Sequence, residues 1–210
     1  MTIFDGQPIL AIVRIPRASP LGEIVGAIRR GGIGPVEVTA ETPGALEAVR
    51  AAADAGSPIG AGTILSVAEA RAFAEAGAAF LVSPGLNVDV VRTAVELGVP
   101  AVPEALSPTE ISGAVDAGAE AVNLFPAGPG GPGYLRALRG PFARVAFVPT
   151  GGIGPEDVPA WLEAGAVCVG LGAALIGSAA SFTDAELEAL TERTRDAVAQ
   201  ARAVIDRRSS

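Results

Sequence analysis

The 210-residue sequence contains no histidine and no lysine; all 15 of its basic residues are arginine. Without histidine, a Ser-His-Asp triad and any imidazole-ligated metal are excluded. Arginine stays protonated at every working pH, so no side chain here offers the neutral amine that condenses with a ketone to form a Schiff base. A lone Cys168 excludes an internal disulfide framework and a Cys-rich metal site, and its apolar surroundings read as buried filler. Aromatic residues are scarce, and Gly and Ala are abundant, which suits close packing of helices on a sheet. No apolar run is long enough to cross a bilayer. The opening residues, MTIFDGQPIL, show neither a basic stretch before the apolar one nor a cleavage pattern. The expectation is a soluble, cytoplasmic protein. The net charge of -8 disfavours nonspecific contact with nucleic acid or membrane, yet leaves room for a small anion held by backbone dipoles.

What is present is a repeat. Gly32, Gly56, Gly77, Gly98, Gly118, Gly140 and Gly165 each close an amphipathic or Ala-rich segment and precede a short apolar run. Glycine just past a helix end is a C-cap signal, and a helix, a short strand and two tight loops fill about the 20 to 25 residues between these glycines. The spacing predicts strands at 9–13, 36–39, 59–62, 80–83, 101–103, 121–125, 145–149 and 167–170. It predicts helices near 21–30, 45–55, 67–76, 88–97, 108–117, 155–164 and 184–205, with a short one at 134–138. Eight alternating units with apolar strands argue for an α/β fold, a single (βα)8 TIM barrel over residues 1–210. An open doubly wound sheet is the alternative, but no G-x-G-x-x-G opens the first helix. Residues 128–133, GPGGPG, read either as a long connection or as a mobile rim. Residues 207–210 read as a solvated tail.

Barrel sites form where the strands end. Asn123 stands in the middle of the apolar run AVNLFPA, three residues before Pro126 stops the ladder. A buried amide must find partners, so whatever Asn123 touches bears on function. Glu37 lies inside V-E-V, where desolvation raises a carboxyl's pKa toward that of a general acid/base; pairing with Arg14 is the structural alternative. Thr150-Gly151-Gly152 follows the seventh strand and Gly170-Leu171-Gly172 the eighth, with one helical turn possible over 173–176. That location suits a phosphate cradle; tight turns are the bland reading. Arg14 and Arg17 follow the first strand and would clamp an anion or pair with nearby acids. Glu41 and Glu104 add acids at the same rim. With Glu37 and Asn123 they offer oxygen ligands to Mg²⁺ or Mn²⁺, although the spacing matches no metal motif.

Five ordered motifs carry a resemblance: V-E-V-T from Val36, G-A-G-T-I-L from Gly60, S-P-G-L from Ser83, L-F-P-A from Leu124 and P-T-G-G-I from Pro149. In register over nearly the whole chain, they resemble the 2-keto-3-deoxy-6-phosphogluconate (KDPG) / 4-hydroxy-2-oxoglutarate (KHG) aldolase family. The resemblance implies a class I aldolase-like barrel, a homotrimer, and cleavage of a 2-oxo sugar acid phosphate to pyruvate and an aldehyde. It implies Glu37 as acid/base and Thr63 and Thr150 as substrate contacts; Pro84, in the S-P-G-L motif, is a further binding candidate. The resemblance places Gly151, Gly152, Gly172 and Ala173 at the phosphate, to which the strand-end reading adds Gly170 and Arg14. It also places Asn123 where the family has its Schiff-base lysine, Ala173 where a serine is usual, Glu41 in place of an arginine and Glu104 in place of a glycine.

Three functions follow. The first is a family barrel that binds a 2-oxo acid or sugar acid phosphate but lacks class I aldol chemistry, because an amide does not condense with a ketone. The second is a lyase or enolising enzyme using Glu37, with Asn123 or a divalent metal stabilising the enolate. The third is a non-catalytic structural or regulatory homologue. No cofactor is required by the first or third.

Overall fold

The computed structural model describes residues 3–177 and 182–209. Its strands are β1 (Ile9–Val13), β2 (Val36–Thr39), β3 (Gly60–Gly62), β4 (Leu81–Ser83), β5 (Ala101–Ala105), β6 (Val122–Leu124), β7 (Phe147–Pro149) and β8 (Val169–Leu171). Its helices are α1 (Leu21–Arg30), α2 (Ala45–Asp54), α3 (Val67–Glu75), α4 (Val88–Glu96), α5 (Pro108–Asp116), α6 (Gly131–Arg139), α7 (Val158–Glu163), α8 (Ala173–Ile176) and α9 (Asp184–Ser209). A 3₁₀ turn at Pro155–Asp157 leads into α7.

The strands are parallel and run in the order β7-β6-β5-β4-β3-β2-β1-β8. The β7 and β8 edges meet through a parallel bridge between Thr150 and Gly170, and the Val167 N–H donates to the Phe147 carbonyl at 3.0 Å. The result is the nearly closed (βα)8 barrel that the repeat implies.

The glycine signal has a hydrogen-bonded cause. After α1, the Gly32 N–H donates to Arg29 O and the Ile33 N–H to Ile28 O, the pairing of a Schellman cap, with Gly32 at φ 102°. Gly56, Gly77, Gly98, Gly118 and Gly165 repeat the pattern. Gly140 does not: its φ is -57°, and the Phe142 N–H instead donates to Leu138 O. Helix starts follow the side chains too. Ser66 and Ser107 form capping boxes with Glu69 and Glu110, and Asn87 caps α4.

Two corrections concern the loops and the end. The GPGGPG segment is neither a long connection nor a free rim. Gly128 N–H donates to Gly151 O at 2.9 Å, and α6 begins at Gly131. Residues 207–209 continue α9 rather than forming a tail, and residue 210 lies outside the described residues.

Strand alternation divides the core in two. Val36, Val38, Val122 and Leu124 belong to the layer between sheet and helices. Leu10, Ile12, Phe80, Val82, Val102, Val148 and Cys168 fill the barrel interior, where Phe4 packs edge-on against Phe80 with ring centroids 5.7 Å apart. Cys168 is fully buried, and burial pushes its thiol pKa up, as expected of inert filler. Because the neighbours of Glu37 and Asn123 face the helices, those two side chains face the axis. Among the described residues, no helix is long and apolar enough to cross a membrane.

Candidate functional site

Above this interior plug, at the carboxyl ends of the strands, lies a cavity of about 770 Å³. Of the residues singled out in the sequence, eleven expected to bind or catalyse line it, namely Arg14, Glu37, Thr63, Pro84, Asn123, Thr150, Gly151, Gly152, Gly170, Gly172 and Ala173; Glu104 lines it too, and Arg17 and Glu41 do not. The eleven come from seven different strand ends, which only a closed barrel brings to one place.

Glu37 and Asn123 form the floor. Their relative exposures are 3% and 1%, so each pays the full desolvation of a polar group. Among the described residues, Glu37 Oε2 and Asn123 Oδ1 are buried with no hydrogen-bond partner. Two orphaned acceptors at the base of one cavity mark a place where polar groups meet something other than the fold. The Glu37 pKa is raised to about 8, chiefly by burial. The nearby Glu104 and Glu41 carboxylates contribute to that rise, against the opposing pull of Arg14. Glu104 sits beside Asn123 in the β5–β6 register and is half-buried. Its pKa rises to about 7, mainly by burial, while Arg14 and the Gly85 N–H pull it back.

Arg14 does not pair with Glu37. Its guanidinium donates to Glu41 Oε1 at 2.5 Å and to Thr63 Oγ1 at 3.0 Å, bridging the ends of β1, β2 and β3. Glu41 therefore touches the rim through Arg14 and does not line the cavity. Thr63 has φ 57°, unusual for a β-branched residue, and this strained turn aims its hydroxyl at Arg14.

At the end of β7, Gly151 and Gly152 take φ 88° and 72°, which bare their backbone to the cavity. A β-carbon on Gly151 would press on the Phe125 ring, 2.7 Å away. The single turn expected at residues 173–176 is α8, whose Leu175 and Ile176 N–H groups bond to Gly172 O.

Sequence reasoning missed Ile12, Phe125, Ile153, Gly154, Glu156, Asp157 and Ala174, which also line the cavity. Phe125 was detectable: it is the large side chain between Asn123 and the strand-ending Pro126. Glu156 and Asp157 read as ordinary helix-start acids. Asp157 indeed accepts from the Gly154 N–H at 3.0 Å, but that turn folds over the cavity edge. Among the described residues, no group of three or more acidic or Cys side chains is placed to hold a metal ion. Glu37 and Glu104 alone do not make a divalent cage.

Fold and site together define a (βα)8 barrel with a buried carboxyl and a buried amide at the floor of a strand-end cavity. Residues 2–192 match the family model "Aldolase: KDPG and KHG aldolase", and the chain belongs to that family. It is 32% identical to the 2-dehydro-3-deoxy-6-phosphogalactonate aldolase of Escherichia coli (strain K12) over 91% of this chain and 96% of that protein. A solved structure described as native KDPGal superposes with a TM-score of 0.89 at 29% identity, over 98% of this chain and all of that one. The KDPG aldolase of Legionella pneumophila, solved with pyruvate captured as a covalent carbinolamine, gives a TM-score of 0.80 at 28% identity, over 91% and 94%.

Proposed function

We propose that this chain binds a 2-oxo acid or sugar acid in the strand-end cavity without covalent attachment, Asn123 standing where the family forms its Schiff base. The observation that carries this reading is the absence of lysine from the whole sequence, joined to a buried amide at the cavity floor. A carbinolamine joins a ketone carbon to an amine nitrogen. The Legionella pneumophila relative holds pyruvate that way. An amide nitrogen has its lone pair delocalised into the carbonyl and does not make that bond. The pocket nonetheless keeps a general acid/base candidate in Glu37, substrate contacts in Thr63, Pro84 and Thr150, and open backbone at Gly151, Gly152, Gly170, Gly172 and Ala173. Arg14 stands at the rim of the same cavity. Loss of the iminium removes the electron sink of the class I reaction, so we expect no aldol cleavage by that route.

Calorimetric titration with pyruvate, 2-oxoglutarate and sugar acids tests the binding claim. Saturable binding that Glu37→Ala and Asn123→Ala weaken is expected; no binding by any of them in the millimolar range would leave a vestigial pocket, the structural or regulatory homologue.

One observation favours a second reading, an enolising enzyme. Glu37 is a buried carboxyl with a pKa of about 8, suited to moving a proton near neutral pH, and Asn123, lining the same cavity, carries amide N–H groups that could serve an enolate oxygen. Exchange of pyruvate methyl protons into heavy water, abolished by Glu37→Gln, would establish it. A homotrimer of single-domain cytoplasmic subunits completes the proposal, supported by family resemblance; light scattering of the pure protein reads the subunit number.

A further inference from the structure

The charges around this cavity do not suit a doubly charged ligand. Among the described lining residues, Arg14 is the sole basic side chain, against the carboxylates of Glu156 and Asp157 and a partly ionised Glu104, while Glu37 keeps its proton at neutral pH. That one cation is already engaged: Glu41 Oε1 holds its guanidinium at 2.5 Å, and Thr63 takes a second donor. The glycine wall is similarly occupied at its edge. The Gly154 N–H donates to Asp157 Oδ2 at 3.0 Å, and the Glu156 carboxyl folds back over the Gly154 α-carbon. A phosphate laid on Gly151 and Gly152 would have two carboxylates beside it and no uncompensated arginine facing it. Like charges at such separations oppose binding, most strongly at low ionic strength. An uncharged hydroxylated tail meets the opposite situation, since each hydroxyl can donate to Glu104, Glu156 or Asp157 and accept from backbone N–H.

We infer that the cavity selects a singly charged, unphosphorylated oxo or hydroxy acid, and that Glu41 is a specificity-determining residue because it neutralises Arg14. This rests on the binding reading above and narrows its ligand.

The test is calorimetric titration of the intact protein with 2-keto-3-deoxygluconate and with its 6-phosphate, at low and moderate salt. The unphosphorylated acid is expected to bind tighter, with a gap that shrinks as salt rises. Glu41→Gln, a change at a half-exposed position, frees Arg14 and should improve binding of the 6-phosphate relative to the unphosphorylated acid by about fivefold. A wild-type preference for the 6-phosphate, or a preference that Glu41→Gln leaves unmoved, overturns this inference while leaving the binding reading intact. Failure of both acids to bind overturns the binding reading itself, and this inference with it.

Discussion

The Glu37 carboxyl lies directly over the α-carbon of Gly62: a β-carbon at Gly62 would overlap Glu37 Oε1. β2 and β3 are neighbours in the sheet, with Glu37 in register beside Gly60 and Thr39 beside Gly62. The glycine thus provides the space in which an acid can be buried. The G-A-G of β3 is a requirement of the site more than of the strand, since glycine weakens a strand interior.

Replacing Gly62 with Ala should therefore act on function through Glu37. The methyl group evicts the carboxyl from its niche, and overpacking of this kind costs about 1–3 kcal/mol. The expected outcome is a lowered melting temperature together with at least tenfold weaker binding of an oxo acid, a loss that Gly62→Ala/Glu37→Ala does not deepen. Retained wild-type affinity would show that Glu37 can work from elsewhere.

Stability should fall as pH rises through the neutral range. The folded-state pKa of Glu37 is raised from 4.5 to about 8. Between those values the unfolded chain has released a proton that the native state keeps, so the contribution is fully present below pH 4.5 and is lost as pH climbs through 8. Glu104, raised to about 7, adds to the slope over a narrower window. Glu37→Gln mimics the protonated acid and should flatten the slope, with its largest gain in melting temperature near pH 8.5 and little gain near pH 5. Equal shifts at both values would mean that Glu37 is not carrying the effect.

Thr63 offers a trade of stability against function. A β-branched residue at φ 57° costs on the order of 1–3 kcal/mol, and glycine adopts that conformation freely. Thr63→Gly should leave melting unchanged or raise it. It should also weaken anion binding severalfold, because Arg14 loses its second anchor. Titration and thermal melting of the same sample read both; a variant that melts lower with unchanged affinity contradicts the assignment.

Much of this architecture is legible in the amino-acid sequence alone. β1, β2 and α1 match their expected bounds because a proline, a β-branched run or a C-cap glycine marks each end. Gly140 broke the pattern, since α6 leaves through a different turn, and glycine is compatible with both. The start of α6 at Gly131 was hidden by composition: glycines and Pro132 at its first positions read as loop, although proline is well suited to a first turn. In the site, alternation alone was enough to turn Glu37 and Asn123 inward. It could not reveal that Arg14 chooses Glu41 over Glu37, because that pairing depends on how far β1 and β2 project at the rim. Nor could it place Glu156 and Asp157, which reach the cavity only through the 3₁₀ turn that precedes α7.

The most direct measurement is borohydride reduction of the protein with pyruvate, followed by peptide mapping. The wild-type chain should show no adduct on any internal peptide, while Asn123→Lys should gain one at residue 123, where the new amine would lie among Glu37, Glu104 and Thr150. A pyruvate adduct inside the wild-type chain, or an Asn123→Lys variant that folds, binds pyruvate and still traps nothing at that position, would contradict the account.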